Sequence, residues 1–81
     1  ARMTKPTRIL LVDDHPLYRA GVAAVLGAEP ALVVCAEAAG SREALELAAQ
    51  HLPEVAVIDL MLADGDGLKL VRELRQSYPD M

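Results

Sequence analysis

The sequence predicts an α/β domain built on a parallel sheet, and three observations carry that prediction. Three short runs rich in Val, Ile and Leu are separated by stretches of helical spacing, giving the order β-α-β-α-β-α. The run Val55-Ala56-Val57-Ile58 is introduced by Pro53, nearly unbroken in apolar character, and ends at the carboxylate of Asp59; it reads as a parallel strand buried on both faces. An earlier run, Ile9-Leu10-Leu11-Val12, ends in the same way at Asp13-Asp14. Open α/β sheets place their ligands at the carboxyl ends of strands. If these two strands are neighbours, three carboxylates meet at one edge of the sheet, and their repulsion calls for a bound cation or a change in protonation.

The chain has 81 residues, a formal net charge of −4 and 53% hydrophobic residues, which suits one small globular domain. A domain of this size buries only about 60% of its unfolded surface and is marginally stable. The acidic balance, without a Lys/Arg cluster, argues against a nucleic-acid surface on this segment. No apolar run approaches the roughly 20 residues needed to span a bilayer, and there is no signal peptide pattern, so no membrane partner is expected. Cys35 has no second cysteine to pair with, which makes a reducing cytoplasm the simplest location.

Ala1-Arg2 ahead of Met3 reads as a tag remnant, and residues 1–7 as a disordered lead-in. The first strand follows from Arg8. Pro16 suits a first helical position because it has no N–H to leave unpaired. The helix from there to Leu26 carries Leu17, Ala20, Gly21, Ala24 and Val25 on one side, the expected inward face, and Gly27 and Pro30 end it. Leu32 to Ala36 is the second strand, with Cys35 expected to act as a small buried hydrophobe. Gly40 turns the chain, and Ser41 is the expected N-cap of a second helix running to about His51. Ala44, Leu45, Ala48 and Leu52 should be its inward face, and His51 should favour the dipole at its end. After the third strand, Ala63-Asp64-Gly65-Asp66-Gly67 is a loop with Asp66 as cap. The third helix runs from Leu68 to Ser77 with Leu70, Val71 and Leu74 inward, and Pro79 stops it.

Competing chemistries are weaker. Asp64-Gly65-Asp66-Gly67 superficially suggests a Ca²⁺ loop, but Leu68 stands at the next ligand position and Arg75 where the closing Glu belongs. A dinucleotide site would need a Gly-rich turn after the first strand, where this chain has Asp13-Asp14-His15-Pro16. His15 is expected to be a loop residue rather than a ligand, since hard cations prefer oxygen. Capping before Pro16 is the alternative role for Asp13 and Asp14; one of the pair can cap while the other binds metal.

Ile9-Leu-Leu-Val-Asp-Asp-His-Pro16 together with Val57-Ile-Asp-Leu-Met-Leu-Ala-Asp-Gly-Asp-Gly67 resembles the receiver domain of bacterial two-component response regulators. The Asp-Asp-His-Pro start resembles the subgroup with a LuxR-type helix-turn-helix output domain. The resemblance covers about Arg8 to Pro79, making residues 8–81 the N-terminal part of a receiver. It implies a flavodoxin-like fold with strand order 2-1-3, the fourth and fifth strands lying beyond Met81. It implies a signalling switch rather than an enzyme. Asp59 would be the phosphoacceptor, and Asp13, Asp14, Asp59 and the main-chain carbonyl of Met61 would hold Mg²⁺, with Mn²⁺ as a substitute. A sensor histidine kinase would be the phosphodonor, and DNA would be contacted only through a separate C-terminal domain. The chain departs from the family at Ala63, where proline is common. The family's Ser/Thr after the fourth strand and Lys after the fifth fall beyond Met81, so weak metal binding with slow or absent phosphotransfer is expected of this chain alone. The other reading is an interaction module without phosphotransfer. Its apolar third-strand edge and the adjoining uncovered faces would make it a homodimer.

Overall fold

In the computed structural model, residues 5–62 and 67–81 are described. The expectations placed on residues 1–4, and on Ala63, Asp64, Gly65 and Asp66, including the Asp66 cap, lie outside the described residues. Three parallel strands, β1 (Thr7–Val12), β2 (Leu32–Ala38) and β3 (Val55–Ile58), form one sheet of order β2-β1-β3. Three helices alternate with them: α1 (Pro16–Gly27), α2 (Ser41–His51) and α3 (Gly67–Ser77). The predicted alternation and strand order are both present.

β1 is the central strand, and Ile9, Leu10, Leu11 and Val12 are all buried, as a strand covered on both faces requires. It begins at Thr7, one residue before the expected start at Arg8, because the Thr7 N–H donates to the Ala31 carbonyl at 2.8 Å. β2 is longer than expected and contains a bulge. Ile9 pairs with Val34 but Leu10 pairs with Ala36, so Cys35 is the extra residue, half-buried, its Sγ 3.4 Å from the Ile9 carbonyl oxygen.

β3 is the expected open edge, paired only to β1 among the described residues. The expectation of burial on both faces is corrected: Ala56 and Ile58, packed against the core, are half-buried, whereas Val55 and Val57 on the opposite face are exposed, and an open groove lies over Val57. Val/Ile-rich composition identifies a strand but does not say what covers each of its faces.

The main core lies between the sheet and helices α2 and α3. Leu10, Val12 and Ala38 from the sheet meet Ala44, Ala48, Leu70 and Leu74, with Leu62 closing the end. Two alanines on the inner face of α2 let that helix lie close on the strands. Its start differs from expectation by one residue: Gly40 is the N-cap and Ser41 the first helical residue. Glu43 reaches back to accept the Ala39 N–H at 2.8 Å, as an acidic residue in a first turn should. Leu52 is exposed rather than inward. It forms the α2 C-cap in the left-handed region, with φ 46°.

α1 departs furthest from expectation. Leu17, Ala20, Gly21, Ala24 and Val25 are exposed, whereas Arg19, Val22, Ala23 and Leu26 are half-buried toward the sheet. The helix is apolar around most of its circumference, so spacing alone offers two candidate faces. Leu17, Gly21 and Val25 instead line an open apolar groove beside Val57.

Candidate metal and phosphoacceptor site

The site lies at the carboxyl ends of β1 and β3. The Asp59 N–H donates to the Val12 carbonyl at 2.9 Å, extending the ladder one step past β3 and bringing Asp59 beside Asp13. On the other side the Asp13 N–H donates to Ala38 at 3.0 Å. Asp13 is therefore held between both neighbours and is the one buried charged residue among those described, at 4% exposure. Local turns then aim the side chains. The His15 N–H donates to Asp13 Oδ1 at 2.8 Å, and the Met61 N–H donates to Asp59 Oδ1 at 2.9 Å. In each, a carboxylate accepts from the backbone two residues on, a turn that Asp favours at strand ends.

Asp13, Asp14 and Asp59 thus converge, and with His15 they offer ligand atoms that all lie within 4.8 Å of one another. His15 was not expected at the centre. Its Nδ1 is 3.2 Å from Asp13 Oδ1, 3.0 Å from Asp14 Oδ1 and 3.9 Å from Asp59 Oδ2. It occupies the N-cap position of α1, which neither acid takes. An imidazole nitrogen among three carboxylates sits where a small cation would balance their charge. The side chain is 67% exposed, and a hard cation prefers the carboxylate oxygens to its nitrogen. Hard oxygen donors from three carboxylates suit Mg²⁺, and the donor set fits the implied metal. Met61 is exposed just past Asp59.

Two residues that the sequence reading did not single out shape this site. Gly67, buried at the start of α3, packs so closely that a Cβ there would lie 2.6 Å from the Asp59 carbonyl oxygen and 2.7 Å from Leu60 Cα. Arg19 reaches back from α1 and donates from Nη1 to the Asp13 carbonyl at 2.7 Å. Its signal was present, since it is the single charge in the twelve residues of α1.

The model of the response regulator receiver domain family matches residues 9–81. The chain belongs to that family. This receiver domain is 42% identical over 74 residues to the DNA-binding transcriptional activator DevR/DosR of Mycobacterium tuberculosis, a match covering 91% of the chain and 34% of the relative. It is 35% identical over 72 residues to the nitrate/nitrite response regulator NarL of Escherichia coli, covering 89% and 33%. Among solved structures, a LuxR-family two-component response regulator from Aurantimonas superposes with a TM-score of 0.86 at 37% identity, covering 93% of this chain and 54% of that one. The signal receiver domain of a NarL-type regulator from Mycobacterium tuberculosis gives 0.85 at 35% identity, covering 91% and 60%. The receiver domain therefore spans about a third of the length of these curated relatives. Its relatives are LuxR/NarL-family regulators, and its sheet order matches the flavodoxin-like receiver structures. Receivers are regulatory domains that take phosphate from sensor histidine kinases and bind Mg²⁺ at an acidic pocket. No helix among the described residues is long and apolar enough to cross a membrane.

Proposed function

We propose that Asp59 of this chain accepts a phosphoryl group from a sensor histidine kinase, with Mg²⁺ held by Asp13, Asp14, Asp59 and the main-chain carbonyl of Met61. The supporting observation is the convergence of three carboxylates from two strand ends on one point. An Asp59 carboxylate oxygen attacks phosphorus as the P–N bond to the kinase imidazole breaks, and the leaving nitrogen keeps the electron pair and takes a proton from solvent. The loose transition state makes few covalent demands, so positioning and charge supply the catalysis. Bound Mg²⁺ would neutralise charge on the phosphoryl oxygens. The Met61 N–H holds one Asp59 oxygen at 2.9 Å, leaving Oδ2 to attack. Asp13, buried and tied to β2, keeps the acidic pair from retreating as charge accumulates.

The remaining assignments belong to the same reading. Residues 8–81 form the N-terminal part of a receiver in a cytoplasmic transcription regulator, and DNA is bound by a domain outside this segment. Acetyl phosphate with Mg²⁺ tests the site directly through intact mass. One phosphoryl group should add slowly to the wild-type chain and not at all to Asp59→Asn, whereas equal labelling of both overturns the assignment. A second reading rests on the exposed edge of β3 and on Leu17 and Val25 of α1, which form one apolar face. On that reading the chain associates as a homodimer without phosphotransfer, so a chain that stays monomeric in sedimentation over a concentration series, or that is phosphorylated at Asp59, overturns it.

A further inference from the structure

We propose that Arg19 is a positioning residue for this site: it clamps the peptide plane between Asp13 and Asp14 and so sets the direction of the paired carboxylates. The inference deepens the Mg²⁺ reading above and rests on it. The Val12 carbonyl is taken by Asp59 and the Asp13 N–H by Ala38, so the Asp13 carbonyl is the first acceptor past the ladder. Arg19 supplies its donor. Nη1 reaches that oxygen at 2.7 Å, while Nε donates to Glu37 Oε1 of β2 at 3.3 Å. The Arg19 main chain is anchored as well, its N–H on the His15 carbonyl at 2.8 Å.

One planar guanidinium thus joins α1, the end of β1 and the end of β2. The peptide plane it grips carries the Asp13 carbonyl and the Asp14 N–H together, so holding it fixes ψ of Asp13 and φ of Asp14. The fork matters as well as the charge, because a lysine ammonium is a point charge on a flexible stem and holds no such plane. Partners beyond the ligands orient metal sites in this way, and their loss commonly weakens metal binding 10–100-fold.

A positioning role and a mere charge effect predict opposite signs. Removing a cation beside an acidic site tightens Mg²⁺ if charge alone matters; removing a clamp weakens it. The test is calorimetric titration of the full chain with Mg²⁺ alone, for wild type, Asp13→Asn, Arg19→Gln and Arg19→Lys. Binding by wild type that Asp13→Asn abolishes establishes the underlying site. Both Arg19 variants should then bind roughly tenfold more weakly. Unchanged or tighter binding by Arg19→Gln, or wild-type binding by Arg19→Lys, overturns the positioning role and leaves the metal site standing. No Mg²⁺ binding by wild type overturns both. If the variants fail to fold, the wild-type NMR spectrum decides: a clamped Arg19 gives a dispersed, slowly exchanging Nε–H resonance, and a freely averaging one overturns the proposal.

Discussion

At the scale of single residues, the carboxylates were readable and their supports were not. Asp13, Asp14 and Asp59 announce themselves because they follow directly on two apolar runs, at the carboxyl strand ends where open α/β sheets bind ligands. Gly67 carries no such mark, since a glycine after a Gly-Asp-rich loop looks like one more turn residue. Its importance is a distance across the chain: any side chain would meet the Asp59 and Leu60 backbone, which cannot rotate away. Gly67→Ala should therefore destabilise the fold by about 1–3 kcal/mol, the usual range for overpacking. It should also weaken Mg²⁺ binding by displacing the segment that carries Asp59. Urea denaturation and a metal titration of the same variant measure the two effects. The place of His15 was hidden for another reason: its nitrogen reaches the acids through a local turn, which composition does not encode.

At the scale of elements, α2 and α3 were legible because each has one apolar face. Ala44, Ala48, Leu70 and Leu74 are all buried where the spacing put them. α1 was legible as a helix but not in its orientation, because apolar residues surround it. The end of α2 shows where local and tertiary demands part. Leu52 adopts φ 46°, a conformation that normally favours glycine, while its side chain is exposed. Arg8 Nη1 bonds the Leu52 carbonyl at 3.1 Å, and the Arg8 carbonyl accepts the Glu54 N–H at 2.9 Å, so the connection is stitched to β1. Replacing Leu52 by glycine removes a left-handed strain of about 1–2 kcal/mol. It adds back about 0.5–1 kcal/mol of unfolded-chain entropy. Leu52→Gly should thus raise stability by roughly 0.5–1 kcal/mol, seen as a higher denaturation midpoint at constant m-value.

For the whole molecule, the exposed edge sets the behaviour. The helices α2 and α3 cover one side of the sheet, whereas on the other α1 turns Leu17, Tyr18 and Val25 toward an open groove floored in part by Val57. If chains associate through β3, Val57→Lys should shift the sedimentation profile toward monomer without changing the circular dichroism spectrum, since an edge lysine opposes strand pairing. An unchanged distribution would place any association elsewhere.

The bulge in β2 has a consequence for that same side of the sheet. Side chains on a strand alternate in direction, and Cys35 resets the phase of that alternation by one step. Downstream of it, Glu37 is level with Leu11 and Ala38 with Val12, so the carboxylate faces α1 while the alanine enters the core. With an unbroken count, Glu37 would be level with Val12, beneath α2, and Arg19 would lose its anchor. A single supernumerary residue, distant from the acids in sequence, decides on which side of the sheet a charge can serve them.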